Sequence, residues 1–235
     1  MRRSLAEPEL SERDRALLLT NLSLVNRESG QLVSAEELLN QAIAIHTRIF
    51  SQDDGRLLLA RAALAELFLM EKRYDDAQPM LEDLLAAFEK WPDQWPPEIG
   101  TLLGDLGVVL RIQGKTGAAI ELFQRAIALH ESELGPDHPL LLRPLVNLAS
   151  AEAQSGNLEA AAAIFRRAVA IAEQKLGPDH PAYSGVLLNF AAFLRNTGHK
   201  REAKSLEARS REARRDNARR EGMDLVVDVS AFQLK

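Results

Sequence analysis

Apolar and small residues return along this chain at a fixed interval of 42 residues. One column of the repeat holds a large apolar side chain in every copy: Leu22, Leu64, Leu106, Leu148 and Phe190. The position directly after it is small in every copy: Ser23, Ala65, Gly107, Ala149 and Ala191. A repeat of this length, in which large and small residues keep their places, is typical of stacked helical hairpins.

A second pair of columns predicts where each hairpin turns. Seven residues after the small column, four copies have glycine and one has lysine: Gly30, Lys72, Gly114, Gly156 and Gly198. Five residues further on, every copy has alanine: Ala35, Ala77, Ala119, Ala161 and Ala203. Glycine favours the positive φ at which a helix ends and the chain reverses, and alanine lets two helices approach closely. We therefore expect a tight turn between two helices in each copy, with a different tight turn at Lys72.

The second helix of each pair adds a further apolar column, which we assign to the core: Leu38, Met80, Leu122, Ile164 and Leu206. The pattern predicts first helices near 12–28, 56–71, 97–113, 140–155 and 182–197. It predicts their partners near 33–49, 75–90, 116–133, 158–175 and 200–220. Pro144 falls about one turn inside its predicted helix, so this helix should start late or kink.

The same boundaries predict the domain organisation. A lead-in at 1–11 precedes an array of five repeats at 12–221, and an extended tail follows at 222–235. The repeats lie near 12–53, 54–95, 96–137, 138–179 and 180–221. Aromatic residues make up only 5% of the chain, and alanine and leucine dominate. This composition favours helices over sheets, so the predicted fold class is all-α.

The linkers between the later repeats carry a specific motif. Residues 134–139 and 176–181 both read Leu-Gly-Pro-Asp-His-Pro. Asn-Leu-Ala ending at Ala149, Asn-Phe-Ala ending at Ala191 and the Gly-x-x-x-x-Ala turn accompany it. Together these features resemble the tetratricopeptide repeat family, in the 42-residue form of kinesin light chains and many bacterial repeat proteins. Over residues 12–220 the resemblance implies a right-handed α-solenoid, or superhelix, of five antiparallel helix pairs.

In this family the first helices line a concave surface, so polar residues there that packing does not require are binding candidates. The column before the large apolar one reads Asn21, Ala63, Asp105, Asn147 and Asn189. Neighbouring first-helix positions add Arg111, Arg143, Ser150, Gln154 and Arg195. An asparagine amide both donates and accepts hydrogen bonds, which suits a peptide backbone, and arginine suits an acidic group. Alternatively, the asparagines satisfy helix ends or neighbouring helices.

The resemblance implies a protein interaction scaffold or adaptor that binds a peptide or helix of a partner on its concave face. Two alternatives stay open: a regulatory peptide-sensing module and an accessory subunit of a separate enzyme. We expect neither catalysis nor a cofactor, because no glycine-rich phosphate loop, nucleophile elbow or HExxH motif occurs.

The histidines do not suggest a metal site. The chain has no cysteine, and no two histidines share a predicted helix at ligand spacing. His138 and His180 lie in equivalent linkers, whereas His46 and His130 lie two repeats apart. We interpret all four as linker or surface groups.

Charge and hydropathy narrow the class of partner. A net charge of −5 argues against nucleic acid. No apolar run approaches the ~20 residues that span a bilayer. The amino terminus becomes acidic where a secretory signal would be apolar. The sequence therefore predicts a cytoplasmic protein with neither a membrane nor a nucleic-acid partner.

Three segments depart from the repeat. Residues 91–97 hold Trp91 and Trp95, in a loop that either contacts a partner or folds back on the helix ends. Residues 200–220 carry nine basic and four acidic side chains. This pattern indicates a capping helix, with binding of an anionic partner as the alternative. Residues 225–230 alternate like a strand, which would dock in the protein's own groove, join a partner's sheet or stay disordered; we favour docking.

Overall fold

The computed structural model describes residues 10–90 and 98–224, with side chains placed for 10–90 and 99–215. Within these ranges every regular element is helical, which confirms the predicted all-α class. The chain forms two compact units, residues 1–109 and 110–235. The tryptophan loop and the predicted strand-like tail from residue 225 lie outside the described residues.

The first unit contains four complete helices: α1 (Glu12–Glu28), α2 (Leu32–Ile49), α3 (Gly55–Met70) and α4 (Tyr74–Glu89). Helix α5 (Glu98–Ile112) begins in this unit and ends in the next. The second unit continues with α6 (Thr116–Leu134), a 3₁₀ turn (Pro139–Leu141), α7 (Leu142–Gln154), α8 (Leu158–Lys175), α9 (Pro181–Asn196) and α10 (Lys200–Asp224). Consecutive helices pack together from α1 to α4 and again from α6 to α10. Because α10 continues to Asp224, it runs past residue 222, where the extended tail was predicted to start.

Five turns join the paired helices, and all five have the same backbone geometry. The residue in the glycine column has a positive φ in every copy, from 60° at Lys72 to 88° at Gly198. In each turn the next amide donates to a carbonyl five residues back, as from Gln31 to Asn26 at 2.8 Å and from Arg73 to Phe68 at 2.8 Å. This is the bonding pattern of a Schellman helix end. The expectation of a different turn at Lys72 was therefore wrong, because the closing hydrogen bonds hold lysine in the left-handed region.

We expect Lys72→Gly to raise the free energy of unfolding by about 0.5–1 kcal/mol. A residue with a Cβ pays a steric penalty at φ 60° that glycine avoids. Urea denaturation followed by circular dichroism measures the change. The reverse substitution Gly156→Lys, at φ 86°, should lower the stability by a similar amount. Equal stability of both variants and the parent would contradict the steric account.

The small residues at the hairpin interfaces are buried as predicted. All five alanines five positions after the turn column are 0% exposed. The small column of the first helices is likewise buried in every copy. A larger side chain at either position would have to displace the backbone of the facing helix. Buried small residues at these positions allow packed helices to approach closely.

The core column predicted for the second helices was displaced by one residue. Leu38, Met80, Leu122 and Ile164 are only half-buried, and of the predicted set Leu206 alone is buried among the described residues. The buried large residues are instead the ones that follow: Leu39, Leu81, Phe123 and Phe165. One residue turns a helix by about 100°, so the two neighbouring apolar columns lie at the edge and the centre of the same face.

The prediction that Leu22 lies in the core was also wrong, since 49% of this residue is exposed. Its counterparts in the other first helices are buried. Leu18 and Val25, on the same side of α1, are exposed too. In the first unit α3 has α2 packed before it, whereas no described helix precedes α1. The column is therefore buried only where an earlier helix covers it.

The helices that follow the linkers are capped by a side chain at one position of the repeat. The imidazole Nδ1 of His138 accepts a hydrogen bond from the Leu140 amide at 3.3 Å, and that of His180 accepts from Ala182 at 3.1 Å. Asp54, in the same column of the first linker, accepts from the Arg56 amide at 3.0 Å. Bonds from the Arg56 guanidinium also hold the pKa of Asp54 down to about 2. The linker histidines are thus N-caps.

Two further predictions concern Pro144 and two histidines outside the linkers. α7 begins only after the 3₁₀ turn, so Pro144 sits in its first turn and this helix starts late, as expected. His46 and His130, predicted as linker or surface groups, are instead buried within α2 and α6. Burial lowers the pKa of both imidazoles.

Candidate functional site

Some of the polar residues predicted to bind a ligand lie together on one face of the second unit. This face, formed by α7 and α9, contains two adjoining cavities. Five of the nine predicted residues line one cavity or the other: Arg143, Asn147, Ser150, Gln154 and Asn189. We call the cavity beside the helix starts the linker-side cavity and the one beside the hairpin turns the turn-side cavity.

The linker-side cavity has a volume of ≈ 460 Å³ and mainly apolar walls. Leu140 and Val146 form one side, and Ala182, Gly185 and Val186 on α9 form the other. Arg143, Asn147 and Asn189 place polar groups around them. An apolar cavity with a few polar groups at its edge is the usual form of a site that binds a side chain or small ligand.

The turn-side cavity has a volume of ≈ 480 Å³ and an aromatic wall. Phe165 on α8 and Phe193 on α9 line it, with ring centroids 5.4 Å apart. Ser150 and Gln154 on α7 and Thr197 beyond α9 supply polar groups. This cavity combines packed aromatic rings with hydrogen-bonding side chains, which suits a partly apolar ligand.

Asn189 lines both cavities. Its side-chain amide donates to the Gly185 carbonyl, one turn earlier in α9, at 2.9 Å. Ser150 similarly donates through its hydroxyl to the Val146 carbonyl at 2.8 Å. Each of these bonds orients a side chain along its own helix. The amide oxygen of Asn189 and the hydroxyl oxygen of Ser150 keep the capacity to accept a hydrogen bond from a ligand.

The other four predicted residues do not join this group. Arg195 on α9 forms an ion pair with Glu207 of α10. Arg111, at the end of α5, is half-buried, and its Nε is buried without a hydrogen-bond partner among the described residues. Asn21 and Asp105 belong to the first unit. Asn21 is exposed, but Asp105 is only 2% exposed, so the prediction that Asp105 lines an open surface was wrong.

The polar pattern did not identify the apolar residues of the two cavities. Phe165 and Phe193 are of a residue type that is common in helix cores. Gly185 carried a weak signal, because its column holds larger residues in the other copies: Leu17, Leu59, Thr101 and Arg143.

Sequence comparison decides the family to which this chain belongs. The family model described as tetratricopeptide repeat matches residues 14–90, 98–174 and 144–216, most of the chain. The chain belongs to the tetratricopeptide repeat family. The resemblance seen in the linkers and turns is thereby confirmed. The tetratricopeptide repeat fold is typical of protein interaction scaffolds and is generally non-catalytic.

Individual relatives agree with this assignment. Protein KINESIN LIGHT CHAIN-RELATED 3 of Arabidopsis thaliana is 26% identical over 154 residues, which are 64% of this chain and 23% of that protein. The chain thus spans about a quarter of that relative. A solved structure of kinesin-light-chain-like, nearly identical TPR-like repeats from Podosopora anserina is 22% identical with a TM-score of 0.71, covering 90% of this chain and all of that one.

A further solved structure shares the fold at greater distance. YrrB, described as a TPR protein with an unusual peptide-binding site, is 18% identical with a TM-score of 0.50. The match covers 88% of this chain and 90% of YrrB. At such identities these structures support the tetratricopeptide repeat fold alone.

The described part of this repeat protein offers neither a metal cluster nor a membrane-spanning helix. Among residues 10–90 and 98–224, no three histidine, aspartate or glutamate side chains cluster in a way that could hold a metal ion. Within the same ranges, none of the helices combines the length and apolar character needed to cross a membrane.

Proposed function

We propose that this protein is a cytoplasmic scaffold or adaptor whose α7 and α9 face binds an extended peptide of a partner protein. One observation carries the proposal: five residues selected from the sequence for their polarity line two adjoining cavities that share Asn189. Polar groups that lie beside a cavity are suited to recognising a ligand.

The binding mode follows from the chemistry of the face. The amides of Asn147 and Asn189 would hydrogen-bond the peptide backbone, because each can both donate and accept. Alternate peptide side chains would enter the two cavities. Each backbone bond contributes on the order of 1 kcal/mol net, so two asparagines give modest affinity and the cavities supply selectivity.

The comparisons support this class of function without identifying the partner. The tetratricopeptide repeat fold is typical of interaction scaffolds, and YrrB, which shares it, is described as having a peptide-binding site. The net charge of −5 favours a protein or peptide over nucleic acid as the partner.

The test is the double variant Asn147→Ala/Asn189→Ala, assayed against peptides selected from a displayed random library. We expect affinity to fall by about 10- to 30-fold, the equivalent of two lost hydrogen bonds, while the helical circular dichroism stays unchanged. Fluorescence anisotropy with labelled peptides measures the affinity. Asn40→Ala, an exposed asparagine on α2, is the matched control and should leave binding unaltered.

Unaltered affinity of the double variant would remove this face from the binding site. A library that yields no binding peptide would argue against peptide recognition itself.

A further inference from the structure

The linker-side cavity has a counterpart in the first unit. A cavity between α1 and α3 is lined by His46 of α2 and by six residues of α1 and α3: Arg13, Asp14, Leu17, Thr20, Arg56 and Leu59. Adding three repeats, or 126 positions, to those six numbers gives residues that all line the linker-side cavity: Pro139, Leu140, Arg143, Val146, Ala182 and Gly185. The two cavities therefore occupy the same position of the repeat, three repeats apart.

The two cavities differ in volume. The cavity between α1 and α3 has a volume of ≈ 200 Å³, against ≈ 460 Å³ for the linker-side cavity. Two substitutions on the later helix contribute directly to the difference. Leu59 is replaced by Gly185, and Arg56 is replaced by Ala182. Leu59 and Arg56 thus narrow the cavity of the first unit, whereas Gly185 and Ala182 leave the cavity of the second unit wider.

The backbone does not require glycine at this position. Gly185 lies within α9, has no positive φ, and a Cβ built on it would meet no atom within 4 Å. Glycine is moreover a poor helix residue, because it loses more conformational freedom than alanine or leucine. Its effect on the molecule is the space that it leaves beside Val186 and Asn189.

We propose that the linker-side cavity is a specificity pocket for one leucine-sized or larger apolar side chain of the bound peptide. The inference rests on the proposed peptide-binding function and adds the residue class that the peptide must present. The chain itself places Leu59 in the equivalent position, where this leucine lines the first cavity while 45% of it stays exposed. The described residues that line this cavity include neither aspartate nor glutamate, so it offers no acidic partner to a basic anchor.

The experiment uses Gly185→Leu, which gives the second unit the residue type that Leu59 provides in the first. Peptides of about twelve residues, long enough to cross both cavities in extended form, are selected from a displayed random library against the parent protein, and their affinities for parent and variant are compared. We expect the peptides to share one position held by leucine, methionine, phenylalanine or tryptophan. Replacing that peptide residue with alanine should lower the affinity for the parent protein at least about tenfold. Gly185→Leu should lower the affinity for the unchanged peptide by the same factor. Gly117→Leu, at an exposed glycine of α6 with equally open space, is the matched control.

The outcomes separate this inference from the proposed function. Some peptides could lose affinity in the double variant of Asn147 and Asn189 but bind Gly185→Leu as tightly as the parent. This result would overturn the specificity pocket and leave the proposed binding face intact. A shared charged anchor in place of an apolar one also overturns the pocket. A library without binders, or binders indifferent to both sets of variants, overturns the pocket and the proposed function together. Circular dichroism of each variant verifies that its helices are retained.

Discussion

Replacing Phe165 with alanine is expected to lower the free energy of unfolding by about 3–5 kcal/mol. This ring is 1% exposed, and its centroid lies 5.3 Å from that of Phe190 and 5.4 Å from that of Phe193. Truncation removes the buried area and leaves a cavity between α8 and α9 that the two remaining rings cannot readily close. Urea denaturation followed by circular dichroism in the far ultraviolet measures the loss.

Leu188→Ala on α9 serves as the control for Phe165→Ala. Leu188 is exposed, so its truncation should cost less than about 1 kcal/mol. If both variants lose the same stability, the aromatic cluster is not the main source of packing energy between α8 and α9.

The second large effect is expected from overpacking at the hairpin interface. Ala161→Leu should destabilise the protein by about 1–3 kcal/mol, because Ala161 is 0% exposed where α7 and α8 pack. The added atoms can be accommodated only by moving one helix backbone away from the other. Differential scanning calorimetry would show the loss as a lower Tm.

The neighbouring substitution Ala160→Leu provides a control on the same helix. Ala160 is exposed, so leucine there meets solvent and should change the stability by no more than about 0.5 kcal/mol. Equal Tm values for Ala160→Leu and Ala161→Leu would show that the alanine column does not set the distance between the helices.

The helical hairpins were predictable because their constraints are local. A turn in the left-handed region favours glycine, and a close helix crossing requires a small side chain. Glycine and alanine therefore recur at fixed positions of the repeat. The boundaries of most helices accordingly fell within two residues of their predicted positions. Lys72 shows the limit of this reasoning, because the hydrogen bonds of a turn can hold a residue whose own preference is different.

Burial was harder to predict where it depends on neighbouring helices. Leu22 has the residue type of its buried counterparts, but exposure depends on what packs against α1. The second-helix core was displaced by one position because two adjacent apolar columns have similar compositions. His46 and His130 were predicted to be linker or surface groups, whereas both lie on the inward face of α2 and α6 and are buried.

The candidate site was predictable in part for a related reason. Polar residues beside an apolar column are conspicuous, so Asn147 and Asn189 could be selected from the sequence. The cavities are formed by a residue without a side chain, Gly185, and by apolar residues such as Phe193. In the sequence such residues look like core or turn positions, and only the arrangement of the helices shows that they line a cavity.

The side of α1 that no described helix covers offers a route to engineering. Leu18, Leu22 and Val25 present an apolar strip that can accept another helix without redesign. A grafted hairpin that copies α7 and α8, with the counterpart of Phe165 facing that strip, would lengthen the protein at this helix. The outer side of α10 could not be used in the same way, since its exposed basic residues would first have to be exchanged for apolar ones: Arg201, Lys204 and Arg211.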